Sequence, residues 1–581
     1  MPHKSEDTQR LTIQNIDVAS IEEFPTGNPD KAEVWCFLLP YGRSIQDAEA
    51  SANWFKKFVH FAEGLHNESI VTILTSTQDA TETWPKLSNV LQFQLWVAVK
   101  YATPIIKTGN QLPEHHAVLL VLSKFKKSLR HTKTRTAYTY CPSCDKTTKD
   151  YGGKKHTYNE YGTIISDIWR DVSYTPRKYP KEIISRLADL FGLQPYSILT
   201  VVNIMGMPTV IPSMLRVNTT ISLQAEALQE INSYLKKGDS ISELRKIPSN
   251  SIDFCFADPP YNLDKRYDSW DDAIDAQHYF TWCNNWIDEL VRVLKPGCTC
   301  AILNIPILAI RHVQHMKKDL LFQSWIAWEG LSLPVRMIMP AHYAIVCFSK
   351  GEPRPLPGLV NSHPTPLEVL SLNSLQENFC IRQSCVAKRK RNNELDRQSI
   401  TDLWWDIHRL KHNSRRVDHP CQLPPTLMRR LIALFTEENE VVLDPFNGAG
   451  TTTLCAAELS RRYIGIELSD NYHEIAIERH KQLETGNDPF AKTNRIPHTK
   501  NNRLGRIGGI KYEVPKKTLQ LEVKRVADLL GHLPTREELL SVGRYSITYY
   551  DEYFISWGEV CAAARTTGMT EYRIKPHDVA Y

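Results

Sequence analysis

Residues Val441 to Glu467, VVLDPFNGAGTTTLCAAELSRRYIGIE, constrain the fold of this chain more than any other stretch. Val441-Val442-Leu443 reads as a short buried strand, and Asp444 to Gly450 as a tight glycine-bearing loop. Thr451 onward reads as a helix, and Tyr463 to Ile466 as the next strand, ending in Glu467. Strand, loop, helix and strand in that order predict an α/β fold. Gly448 and Gly450 let the backbone come close to a ligand, and the acid after the second strand can accept hydrogen bonds from ribose hydroxyls. A nucleoside-binding unit follows. A dinucleotide fingerprint would read G-x-G-x-x-G; this loop lacks the third glycine, which disfavours nicotinamide binding.

A second stretch supplies chemistry. Ile252 to Phe256 is an apolar run, and Ala257-Asp258-Pro259-Pro260-Tyr261-Asn262-Leu263 follows it. Prolines cannot continue a central ladder, so the strand must end there. Asp258 and Tyr261 are left at its carboxyl end, the edge where open α/β sheets bind ligands. A carboxylate that takes an amino proton, two rigid prolines and an aromatic ring that stacks would suit an extruded base.

Together, DPPY and DPFNGAGTT with Glu467 resemble the S-adenosylmethionine-dependent amino-methyltransferases of DNA. The catalytic motif precedes the cofactor motif, the order of that family's β group, and the resemblance runs from about Lys236 to Leu483. It implies that Asp258, Pro259, Pro260 and Tyr261 are catalytic. It implies that Phe446 flanks the cofactor's adenine, Gly448 and Gly450 its methionine part, and Glu467 its ribose, with Asp444, Asn447 and Thr451 as neighbours. N6 of adenine is the expected target, because N4-cytosine relatives usually carry Ser where Asp258 stands. Trp270 is a secondary candidate for a segment folding over the base, and His419 to Pro424 resembles the segment opening the helix over the cofactor's methionine end.

The first half repeats the second in weak, ordered matches. Leu91 to Ala98 matches Leu320 to Ala327, His116 to Lys124 matches His342 to Lys350, and Pro180 to Phe191 matches Pro424 to Phe435. Two tandem Rossmann-like domains are expected, 1–235 and 236–490, followed by a basic linker, 491–518. In the first copy Leu38 to Tyr41 stands in place of Asp258 to Tyr261, Ile204 in place of Gly448 and Leu223 in place of Glu467. That copy is read as degenerate, which makes the chain a pseudo-dimeric monomer, with a homodimer as the other arrangement.

A recognition insert is expected over about 351–418. It carries Lys388, Arg389, Lys390 and Arg391, then Trp404 and Trp405, then Arg409, Arg415 and Arg416. Basic residues position phosphates, and aromatics can stack or wedge. The net charge of +5 is mild, so contact with double-stranded DNA must be local. Cys141-Pro142-Ser143-Cys144 offers two zinc ligands, and Cys380 and Cys385 would complete a set if the two copies face each other. Buried thiols without metal are the plainer reading.

Residues 519–581 form amphipathic helices with a capping box at Thr535 and Glu538. Their pattern resembles the short repeat associated with homing endonucleases, which implies an auxiliary DNA-binding module. The cysteines, the lack of a signal segment and the absence of a long apolar run predict a cytoplasmic protein without membrane contact. No nuclease constellation is evident, so any partner restriction nuclease would be a separate subunit.

Overall fold

The apolar runs singled out above become the middles of two mixed sheets. The structure, a computed structural model, describes residues 12–17, 23–39, 48–125 except 108, scattered positions from 132 to 147, 162–204 except 194–196, 231–262, 275–330, 338–360 except 339, 368–370, 383–391, 397–407, 422–490, and most positions of 514–567. Trp270, Cys380, Arg409, Arg415, Arg416, His419 and Leu223 lie outside them.

The second sheet runs Tyr234–Lys237, Arg462–Glu467, Val441–Asp444, Ile252–Ala257, Leu294–Asn304, His342–Ser349, Leu321–Glu329 and Leu403–Trp404. Its central strands are parallel; His342–Ser349 runs antiparallel to both neighbours. Strands buried on both faces need nearly continuous apolar sequence. Ile252–Ala257 is buried at every position, and its one charged residue, Asp253, interrupts the apolar run and is paired with Lys295 at 2.8 Å and the Val441 amide at 2.9 Å. Helix Ala276–Val293 covers one face. Asp275 caps it by accepting from the Gln277 and His278 amides, and it buries Tyr279, Cys283, Trp286, Ile287, Leu290 and Val293 at helical spacing. The helix ends at Val293, and Leu294 is already extended, opening the strand Leu294–Asn304.

The first sheet runs Thr12–Asp17, Ile198–Asn203, Val34–Leu38, Ile70–Thr75, Glu114–Ser123, Gln92–Ile105 and Ile168–Tyr174. This is the second sheet's order with no counterpart to Arg462–Glu467 among the described residues. The expected matches fall on like elements: helix Lys181–Leu190 answers Pro425–Phe435, and Glu114–Ser123 answers His342–Ser349.

A match that sequence reading missed is closer still. Ser166 to Asp171 (SDIWRD) and Thr401 to Asp406 (TDLWWD) form the same device in each half. Trp169 Nε1 donates to the Ser166 carbonyl at 2.9 Å, and Trp404 Nε1 to the Thr401 carbonyl at 2.6 Å. Arg186 makes two bonds to Asp171 and lies over Trp169; Arg430 makes two to Asp406 and lies over Trp404, each guanidinium 5.1 Å from its ring. Planar guanidinium suits both a carboxylate and an aromatic face. Trp404 is fully buried and Trp405 is 5% exposed. This corrects the expectation that these tryptophans face nucleic acid: they belong to the core.

The same devices join the halves. Asp167 Oδ1 accepts from the Ala341 and His342 amides across the junction at 2.7 and 3.1 Å, while Asp402 Oδ1 accepts from the His115 amide at 2.6 Å. Between them Trp96 and Trp325, partners in the sequence repeat, stack with centroids 3.8 Å apart and planes 7° from parallel. One apolar cluster runs through both sheets. The halves therefore share a core, and Tyr234–Lys237, beside the boundary expected near Leu235, pairs with Arg462–Glu467 of the second sheet.

Burial lifts the Asp167 carboxyl to about 7, against the two amide bonds that favour its charged form. The folded chain then holds a proton that the unfolded chain has released. Its contribution to stability is full below the ordinary value of 3.8 and is lost as pH rises through about 7. We expect Asp167→Asn, which keeps an acceptor oxygen, to flatten the fall in urea midpoint between pH 5 and 8. An unchanged slope would mean that Asp167 is charged throughout.

Residues Lys516–Leu530, Arg536–Val542, Ile547–Tyr553 and Trp557–Val560 form a separate helical unit around Leu519, Val523, Val526, Leu539, Tyr550 and Phe554. Its capping box is formed: the Glu538 amide donates to Thr535 Oγ1 at 3.2 Å, and the Thr535 amide to Glu538 Oε2 at 2.7 Å. Among the described residues, no helix is long and apolar enough to cross a membrane.

Candidate active site

Three adjacent parallel strands, Arg462–Glu467, Val441–Asp444 and Ile252–Ala257, end at one edge of the second sheet. Side-by-side pairing brings their terminal residues together, so Asp258, Asp444 and Glu467 share that edge although they are far apart in sequence. The sequence-predicted catalytic and cofactor residues therefore meet in one place.

Around the first motif, Pro259 is buried and Asp258 and Pro260 are partly exposed. Tyr261 is 6% exposed and donates its hydroxyl to Asp258 Oδ1 at 2.7 Å. Tyr279, on the covering helix, donates its hydroxyl to the Pro260 carbonyl at 2.7 Å. The loop after the strand is thus held by side-chain bonds at two points, where proline offers no amide. Tyr279 is both a core residue of the helix and an anchor of this loop, and no motif in the sequence signals the second part.

The second motif is built from close backbone contacts. The Gly448 amide donates to Glu467 Oε2 at 2.8 Å, and the Ser469 amide to Oε1 at 2.8 Å. Gly450 sits at φ +81° as the N-cap of helix Thr451–Glu458, and a Cβ there would meet the Ala476 Cβ at 3.0 Å. Glycine is needed on both counts. Asn447 is pinned by a bond from Thr453 Oγ1 at 3.0 Å, and its buried Nδ2 has no hydrogen-bond partner among the described residues. Phe446 packs against Trp282 and Trp286 at 5.7 and 5.2 Å. Thr451 is buried. Asp444 accepts from the Phe446 amide at 2.9 Å; burial, with the Asp258 and Glu467 carboxylates adding, lifts its carboxyl to about 7 against a bond from Thr452.

The first half has no such edge among the described residues. When the two sheets are matched by their order, strand register sets Leu38 opposite the position of Asp258: Leu38 pairs Leu74 and Leu74 pairs Leu119, while Ala257 pairs Ile302 and Leu303 pairs Ile345. The register of Ile198–Asn203 against Val34–Leu38 moves one expectation. Ile204 falls at the position of Asn447, one residue before Gly448. It is 2% exposed and packs in the shared core.

The model of the DNA methylase family N6_N4_Mtase matches residues 252–478, and a homing endonuclease associated repeat matches 514–564. Type II methyltransferase M.HpaI of Haemophilus parainfluenzae is 31% identical over 250 residues, 42% of this chain and 72% of that protein. The chain belongs to the N6/N4 DNA methylase family. Type II methyltransferase M.BamHI of Bacillus amyloliquefaciens is 33% identical over 268 residues, 44% of this chain and 61% of that relative's length. The DNA adenine methyltransferase YhdJ of Escherichia coli is 27% identical over 248 residues, 42% of this chain and 80% of that protein. These alignments each cover less than half of this chain, which spans under two thirds of M.BamHI.

S-adenosylmethionine is the family's methyl donor, and the second-sheet loop fits it. Asn447 Nδ2 is a buried donor without a partner among the described residues, and Glu467 presents a carboxylate fixed by two backbone amides, while the space beside Gly450 is taken by Ala476. A hydrogen bond to a charged group contributes about 1.5–3 kcal/mol. Glu467→Ala should therefore weaken S-adenosylmethionine binding ~10- to 100-fold, measured by equilibrium dialysis. Unchanged binding would remove Glu467 from the cofactor site.

Of the expected DNA-contact residues, Lys388 and Arg391 are exposed on helix Gln383–Arg391, which also carries Arg389 and Lys390.

Proposed function

We propose that this methylase transfers a methyl group from S-adenosylmethionine to the N6 amine of an adenine flipped out of duplex DNA. The observation that carries the proposal is the shared edge: Asp258, bonded to Tyr261, ends the strand that pairs directly with the strand leading into Asp444–Gly450. When bound, S-adenosylmethionine supplies an electrophilic methyl carbon on its sulfonium. Asp258, with the Pro259 carbonyl, accepts from the amine and turns its lone pair outward. Tyr261 stacks on the base, which has left the duplex because its amine is unreachable inside it. Positioning does most of the work. An acid at position 258 supports adenine, and a relative named as an adenine methyltransferase supports it further.

In this reading residues 12–204 are a silent copy of the catalytic fold, locked to it as one subunit of a dimer would be. Lys388 to Arg391 with Arg409, Arg415 and Arg416 hold DNA phosphates, and the helical unit adds a second grip. Methylation-sensitive long-read sequencing of DNA from cells expressing the protein tests it. N6-methyladenine at a recurring site is expected. N4-methylcytosine would overturn the base, and unmodified DNA the activity.

A further inference from the structure

We infer that Cys141, Cys144 and Cys385 hold a structural zinc ion that fastens the basic helix Gln383–Arg391 to the first half of the chain. The three Sγ atoms lie within 4.8 Å of one another. Sulfurs about 2.3 Å from a tetrahedral zinc stand roughly 3.8 Å apart, so small side-chain adjustments would close the set. Nothing in the chain's order makes this meeting automatic. Two thiols come from the first half and the third from a segment inserted in the second.

The surroundings need such a fastening. Cys141 lies on a hairpin whose strands, Tyr140–Cys141 and Lys146–Thr147, are two residues each, and Asp145 turns it at φ +50°. A two-stranded hairpin even longer than this is barely stable alone. Helix Gln383–Arg391 is described at five side chains. Ser384, Ala387, Lys388 and Arg391 are exposed, and Cys385 is the one buried side chain described on it. That single thiol, 3% exposed, enters a small cluster of Cys141, Ala98, Ile168, Ala327, Leu403 and Trp405 at the junction of the two sheets. Among the described side chains, that thiol is the helix's one buried contact, little apolar area to dock an element carrying four basic residues. A shared metal would dock it firmly. A tetrahedral site needs a fourth ligand. Cys380 lies outside the described residues and enters only as a variant.

The consequence rests on the reading that Lys388 to Arg391 contact DNA. The silent half then serves as the mount on which the DNA-gripping helix is fixed. The test uses the full-length protein purified under reducing conditions without chelators. We expect one zinc per chain by plasma mass spectrometry. Exchange for Co²⁺ should give the intense near-ultraviolet thiolate-to-cobalt absorption and visible bands of a tetrahedral site. Cys385→Ser and Cys141→Ser should lose the metal, and Cys380→Ser should lose it if that residue is the fourth ligand. S-adenosylmethionine binding, which reports on the other edge of the second sheet, should persist in all three and serves as the folding control. Because a variant could unfold, chelation of the wild-type protein is the second arm. Metal removal should weaken duplex DNA binding about tenfold or more and leave cofactor binding intact.

Protein without zinc that gives no thiolate-to-cobalt band would overturn the site, as would a disulfide within the trio in protein kept reduced. Metal present but without effect on DNA affinity would overturn the mounting role. Either failure leaves the methyltransferase reading standing, because methyl transfer is measured independently.

Discussion

Asp258→Ala is expected to reduce methyl transfer by at least ~10²-fold while S-adenosylmethionine binding is unchanged. The carboxylate lies past the end of a strand buried at every position, partly exposed and bonded to Tyr261, so it is fixed in direction without being part of the core. In the proposed mechanism, its loss removes the acceptor that aims the amine. It leaves the bonds from the Gly448 and Ser469 amides to Glu467 untouched, and these organise the cofactor loop. Single-turnover transfer of a radiolabelled methyl group to DNA separates the two effects. A fully active Asp258→Ala enzyme would place the chemistry elsewhere. Asp258→Asn keeps one acceptor oxygen and should retain more activity than the alanine variant.

Trp325→Ala should destabilise the fold by about 3–5 kcal/mol, the largest stability loss expected from a single side chain here. Trp325 is fully buried, stacks on Trp96 at 3.8 Å, and donates its Nε1 to His342 Nε2 at 3.1 Å. Truncation would empty the junction between the sheets and strip His342 of that donor, while burial and the neighbouring His116 hold that histidine's pKa down at about 3. Because each ring is the other's contact, Trp96→Ala and Trp325→Ala should be strongly non-additive, the double variant costing clearly less than the sum. Urea titrations of the two single variants and the double variant measure this. Additive losses would mean that the stack contributes nothing beyond the burial of each ring alone.

The site was legible in sequence because its residues lie in short motifs where local physics is decisive. Pro259 and Pro260 end a strand, and Gly450 occupies a backbone conformation that other residues avoid. Those rules act over a few positions, so they can be read directly. The likeness of the two halves was legible only in part. Helix and strand matches such as Pro180–Phe191 with Pro424–Phe435 kept their apolar spacing, while SDIWRD and TDLWWD passed unnoticed. Their likeness lies in what the side chains bind: Arg186 with Asp171 and Arg430 with Asp406 are pairs formed across chain segments. The same limit explains the error at Trp404 and Trp405. Tryptophans among basic residues suggest a nucleic-acid surface, but a fully buried Trp404 on a strand pairing with Leu321–Glu329 is a core residue. Tyr279 was hidden for the opposite reason, since a ring on a helix's apolar face gives no sign that its hydroxyl reaches the Pro260 carbonyl. The Ile204 slip of one position is what weak repeats produce where a loop differs in length.

If two versions of one fold lie in this chain and only the later one holds the methyl donor, the donor itself can report where it sits. Ultraviolet cross-linking of tritiated S-adenosylmethionine to the full-length protein, followed by peptide mapping, reads that position. Label should be confined to peptides of 234–490, near Asp258 or within Asp444–Glu467, and competed away by unlabelled cofactor. Competable label in peptides of 12–204 would show that the first half is not silent.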